Sequence, residues 1–166
     1  MRVAPTLLLL LFAAASAFAQ TAQLDRVDID EFGIYSGTTE SAISDPSATA
    51  GKIERAEKLR LVTSTRSVPA EKGVRFGFHF KVVGTPSGAV VPLRMVTIFP
   101  GGGLRNPATG QRQPQNEYVA GVAIGAGGYG GYLMSEDWEV APGIWTFQIW
   151  SGDKKMSEQH FMVIKK

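Results

Sequence analysis

The sequence predicts an all-β fold, an antiparallel β-sandwich of immunoglobulin-like type. Three observations carry that expectation. Val74, Phe76, Phe78, Phe80 and Val82 alternate strictly with Arg75, Gly77, His79 and Lys81, which is the period of a strand with one buried face. Trp145, Phe147 and Ile149 repeat the period, and a hairpin signal, Ser151-Gly152-Asp153-Lys154, leads to a closing strand with Phe161 and Val163 on one face. Turn residues punctuate the rest at near-regular spacing, and no stretch commits to helix. A small β-barrel is the alternative, because pattern alone does not say whether the sheet edges close.

The elements follow in order. Val27 and Ile29 alternate with Asp28 and Asp30, then the apolar phase slips by one to Phe32 and Ile34. A phase change inside one strand predicts a β-bulge near Asp30-Glu31. Residues 36–51 are small and polar and read as a loop. Lys52 to Lys58 is ambiguous, since its Glu, Arg, Ala and Lys favour helix, whereas Leu59, Leu61 and Thr63 alternate and predict a strand from about Lys58. Ser67 to Lys72 is a turn around Pro69, and the strand 74–82 follows. Thr85 to Ala89 turns into 90–99, apolar on both faces and so expected to be covered on both, with Pro92 tolerable near its start. A long Gly/Pro/Gln/Asn loop is expected over 100–116. Weaker strands at 118–124 and 131–134 flank a glycine cluster. Ala141-Pro142-Gly143 turns into the strand 144–150, and 156–164 closes the chain.

The first residues predict export. A basic start at Arg2, an apolar run from Leu7 to Ala15 and the small-x-small site Ala17-Phe18-Ala19 read as a signal peptide over 1–19. The run is too short and ends too small for a membrane span. The expected product is one domain over 20–166, released as a soluble protein into the periplasm or medium. The chain has no cysteine, so no disulfide or lipid-attachment site supports the fold. Lys and Arg number 17 against 15 Asp and Glu. This near-balance, without a basic cluster, gives no case for nucleic acid or an anionic membrane surface.

Three stretches carry a resemblance: Glu31-Phe32-Gly33-Ile34-Tyr35; Val68-Pro69 with Gly73-Val74-Arg75-Phe76-Gly77; and Pro142-Gly143-Ile144-Trp145. Together they resemble the bacterial family of domain of unknown function 3859. The resemblance implies an exported bacterial domain and brings no catalytic residues with it.

Several motifs carry less than they suggest. Gly125-Ala126-Gly127-Gly128-Tyr129-Gly130 fits G-x-G-x-x-G, but a dinucleotide site needs a helix next, and more Gly and Tyr follow instead. A tight bend between strands is the expectation, and no cofactor is expected. His79 and His160 lack metal-ligand spacing and read as solvated strand residues, so no metal site is expected. Asp25, Asp28, Asp30 and Glu31 lack a ligand loop and read as a charged outer face. No catalytic residue is expected: there is no Cys, no G-x-S-x-G and no distinctive carboxylate pair. The candidate ligand-binding residues are aromatic. Trp150 is out of phase with Trp145, Phe147 and Ile149, and Tyr129, Tyr132 and Trp138 follow the glycines. Flat exposed rings stack on sugars or anchor a partner. The expected function is therefore binding: an interaction module of the bacterial envelope, with 100–116 and the Gly/Tyr segment as its surface. The alternative is a carbohydrate or small-ligand module using Trp150, Tyr129 or Tyr132, with a hydrolase as a distant third. The partner, protein or glycan, stays open.

Overall fold

The computed structural model describes residues 21–44 and 52–165; the expected signal peptide lies outside them. Among the described residues, eleven strands run in chain order: β1 Gln23–Ser44, β2 Lys52–Thr63, β3 Ser67–Pro69, β4 Arg75–Thr85, β5 Val90–Ile98, β6 Leu104–Arg105, β7 Arg112–Gln113, β8 Gln115–Ala123, β9 Gly127–Leu133, β10 Gly143–Ser151 and β11 Lys154–Ile164. They form two main sheets, ordered β2-β1-β4-β9 and β3-β11-β10-β5-β8, with β6 and β7 as a small separate pair. The neighbours are antiparallel except β3, which lies parallel to β11. Two open sheets face to face make a sandwich; the barrel alternative fails because the sheets keep separate edges.

The alternation in β4 does what its period demands. Phe76, Phe78, Phe80 and Val82 point between the sheets and are buried. Leu93 and Met95 of β5, Trp145, Phe147 and Ile149 of β10, and Phe161 and Val163 of β11 meet them from the other sheet. Phe76 is the hub, with ring centroids 5.4 Å from Trp145, 5.7 Å from Phe147 and 5.4 Å from Phe161. All three pairs are edge-on, the arrangement that aromatic quadrupoles favour.

The expected bulge is present. The register of β1 on β4 slips between Ile29, opposite Phe80, and Glu31, opposite His79. Without the extra residue at Asp30, Phe32 and Ile34 would face solvent.

The loop expected over 36–51 is corrected. Strand β1 continues to Ser44 and β2 begins at Lys52, so the segment is an antiparallel ribbon, with 45–51 outside the described residues. Backbone pairing overrides the helix-favouring side chains of 52–58. The expectation for 90–99 also needs correction. Val91, Leu93 and Met95 are buried, but Val90 is 66% exposed and Pro92 and Arg94 turn outward. Pro92 is accommodated because β10 pairs with β5 only from Arg94 onward, leaving that side without a ladder bond to lose. The 100–116 loop holds the β6–β7 pair, anchored by buried Leu104 and by Arg112 Nη1, which donates to the Gly103 carbonyl at 3.0 Å.

On the outer face of the second sheet, the Glu158 carboxylate accepts from Lys155 Nζ at 2.6 Å and Gln148 Nε2 at 2.8 Å, with His160 Nε2 at 3.1 Å. Chiefly through Lys155, these contacts hold its pKa below the ordinary 4.5. A depressed folded pKa stabilises the fold above the unfolded value and loses that contribution as pH falls through the folded one. The pair is partly exposed, so the effect is small, about 0.5 kcal/mol. Urea melts at pH 7 and pH 3 should show an acid-linked loss that Glu158→Gln reduces by that amount.

Candidate functional site

The outer face of the first sheet is the most distinctive surface. Its β4 residues are Arg75, Gly77, His79 and Lys81, and β9 lies beside them with Gly131, Tyr129 and Gly127 opposite Gly77, His79 and Lys81. Arg75 and Gly77 are buried although their strand face was expected to be solvated. Two neighbours cover them. Arg75 Nη2 donates to Thr39 Oγ1 of the ribbon at 3.1 Å. The Tyr129 ring lies across the glycines, its hydroxyl donating to the Phe76 carbonyl at 3.1 Å. A Cβ on Gly131 would sit 2.2 Å from the Tyr129 hydroxyl oxygen, and one on Gly77 2.7 Å from it. The glycines therefore leave the space that the ring fills.

Tyr35 extends this cluster from β1. It is 4% exposed, with its ring 5.2 Å from Tyr129 and 5.5 Å from His79. Burial, then the Glu31 carboxylate, pushes its phenol above the ordinary value, and burial does the same for Tyr129. Both stay neutral at any physiological pH. His79 is thus half-buried between two phenols rather than solvated. Beside it runs a shallow groove of about 530 Å³, lined by Asp30, Lys58, Lys81, His79 and Tyr129, among others. Lys58 is held there at φ 52°, an unusual left-handed setting for a lysine.

The structure separates the four aromatic candidates. Tyr129 alone borders the groove. Tyr132 faces the core, 5.6 Å from Phe99 and 5.0 Å from Trp145. Its hydroxyl donates to Glu139 Oε1 at 2.9 Å. Trp138 packs partly buried against the same core. Trp150 lies on the outer face of the other sheet. The Arg94 guanidinium sits 5.1 Å above its ring, and its Nε1 donates to Gln148 Oε1 at 2.9 Å. A ring already covered by a cation is a poor open platform for a sugar.

Glu139 escaped the sequence reading, since one carboxylate two residues after the run Ser135-Glu136-Asp137 carries no distinguishing pattern. It is 1% exposed. Its Oε2 accepts from the Ser135 and Glu136 N–H groups at 2.7 and 2.8 Å and from Ser135 Oγ at 2.9 Å. With Tyr132 on the other oxygen, these donors occupy the carboxylate and fix the end of β9. Glu139→Gln places an amide NH₂ against groups that can only donate or already do. It should lower stability by about 1–3 kcal/mol in a denaturant melt.

The edge of β9 is the other notable feature. Among the described residues nothing pairs with its outer side. The ladder to β4 is bounded by Met134 N–H donating to Val74 and Val82 N–H donating to Ala126. Antiparallel bonding alternates, so Gly128, Gly130 and Tyr132 bond to β4. Gly127, Tyr129, Gly131 and Leu133 then turn their N–H and C=O groups outward. The strand carries no charge and no proline, and its register on β4 has no shift. Two of the other edges are blunted, β2 by bulges and by Glu57, Lys58 and Arg60, and β3 by its length of three residues and Pro69, while β8 carries a charge on its open side at Glu117.

Comparison with known proteins fits this architecture. The profile of a domain of unknown function, DUF3859, matches residues 24–163. A crystal structure of an immunoglobulin-like protein from Pseudomonas aeruginosa is similar over 84% of this chain and 98% of its own, with 26% sequence identity and a TM-score of 0.59. No curated protein matches.

Proposed function

Since the chain belongs to the DUF3859 family of domains of unknown function, its role has to be argued from its own surface. We propose that it is an exported, non-catalytic interaction domain of the bacterial envelope that binds a polypeptide along β9. The immunoglobulin-like fold is a scaffold and dictates no chemistry. The observation that carries the reading is the uncharged, unshifted edge of β9. An open row of backbone donors and acceptors is what an added strand requires, and sequences usually guard against it. The aromatic candidates support a glycan less well, because Tyr132 is tied to Glu139 and Trp150 is covered by Arg94. The groove by Lys58, Lys81, His79 and Asp30 favours a second reading, a small polar ligand held beside Tyr129.

A photo-cross-linking residue at position 133, on the β9 edge, tests the first reading in intact cells. An adduct to a polypeptide is expected there and not at Val119, an exposed position on β8. Adducts only through the 100–116 loop would overturn the β9 assignment. Export is tested by N-terminal sequencing: a mature chain starting at Gln20 supports it, and retained Met1 in a cytoplasmic pool overturns it.

A further inference from the structure

We propose that the strand that completes β9 is β9 of a second copy of this chain, paired antiparallel about a two-fold axis at Gly130. The proposal rests on the reading of β9 as the binding edge and names its occupant.

The register carries the argument. The outward-facing backbone groups belong to Gly127, Tyr129, Gly131 and Leu133, so a second β9 must bond to those residues. A two-fold axis through Gly130 does this. It sets Tyr129 opposite Gly131 of the other copy, Gly127 opposite Leu133, Gly128 opposite Tyr132, and Gly130 opposite itself. Every large side chain then faces a glycine, and no two large residues meet across the junction. The Gly130 pair falls at a non-hydrogen-bonded position, where Cα atoms come within about 4.5 Å, and there two residues without side chains meet.

The same device already operates inside one copy. Phe78 lies opposite Gly130 and Phe80 opposite Gly128 in the β4 ladder, with Tyr129 laid over Gly77. Charge adds to it. The strand has no Asp, Glu, His, Lys or Arg, so two identical edges meet without like-charge repulsion. The result is one continuous eight-stranded sheet with an isologous interface.

Sedimentation equilibrium of the mature protein across micromolar to millimolar concentration provides the first test, and a reversible monomer–dimer transition is expected. Leu133→Pro removes an outward N–H and places ring carbons on the edge, leaving the bonds to β4 intact. It should weaken dimerisation at least tenfold while the near-ultraviolet circular dichroism is unchanged. Leu133→Lys, which blunts the edge by charge alone, guards against a proline variant that fails to fold.

Register is read separately. The chain has no cysteine, so a nitroxide on Leu133→Cys is the sole label. Six residues of strand separate position 133 from the residue facing its own copy across the axis, which puts the two labelled backbones roughly 20 Å apart. That distance in pulsed electron resonance supports the proposal. A monomer at every concentration, whose β9 amides are protected from exchange by some other polypeptide, overturns the second copy and leaves the β9 reading standing. A dimer with unprotected β9 amides and no 20 Å distance overturns both.

Discussion

Replacing Trp145 with alanine is expected to cost roughly 3–5 kcal/mol, the range for deleting a large buried aromatic. Trp145 has no exposed surface and is the largest fully buried side chain among the described residues. It touches four other features of the fold at once. Its ring lies 5.4 Å from Phe76, 5.1 Å from Phe99 and 5.0 Å from Tyr132, and its Nε1 donates to the Ala141 carbonyl at 2.9 Å. The substitution opens a cavity between the sheets and leaves that carbonyl without its donor. Because Tyr132 leans on the ring, the end of β9 loses support as well. Urea denaturation followed by circular dichroism measures the loss. A cost under 1 kcal/mol would mean that the sheets close up around the vacancy.

Phe78→Ala should have a comparable effect, again about 3–5 kcal/mol. Phe78 is 1% exposed, packed near Phe80 and Phe147 at 6.2 and 6.0 Å. It also fills the place left by Gly130, whose missing Cβ would lie 2.8 Å from its ring. The next residue gives the control. His79→Ala removes only a half-buried ring between Tyr35 and Tyr129, and it should cost well under half as much. The reverse order in paired denaturant melts would invert the two faces of β4.

These two predictions rest on what the sequence displays most openly. A strand with one face in the core writes its apolar residues with a period of two, and the sequences of 74–82 and 144–150 do so without interruption. The bulge at Asp30 was legible for the same reason, as a break in that period. The ribbon formed by 36–44 and 52–63 was not. Before Leu59 its sequence is mostly small or polar, so only Leu59 and Leu61 give an alternation to read, and backbone bonds decide the rest.

The site was legible only in its parts. Tyr129 follows a glycine cluster, which drew attention to it, but its ring covering Gly77 and Gly131 depends on which strand lies beside β9. Tyr132 and Trp150 have the composition of binding residues. Their partners, Glu139 and Arg94, come from other elements, and no spacing announces them. The open edge of β9 is a property of strand order, which one sequence does not encode locally.

The placement of β3 sets the order of events when the chain folds. Ser67–Pro69 pairs only with Met162–Ile164, at the far end of the chain. β10, in the middle of the second sheet, takes β5 on one side and β11 on the other. That sheet cannot be completed until the last residues have joined it, and the loop closed by β3 and β11 spans most of the domain. Its closure entropy is spent before the contacts that repay it exist. Refolding should therefore run on the slow scale of non-local β topologies, milliseconds to seconds. A chain cut short of β11 lacks the strand that both β3 and β10 pair with.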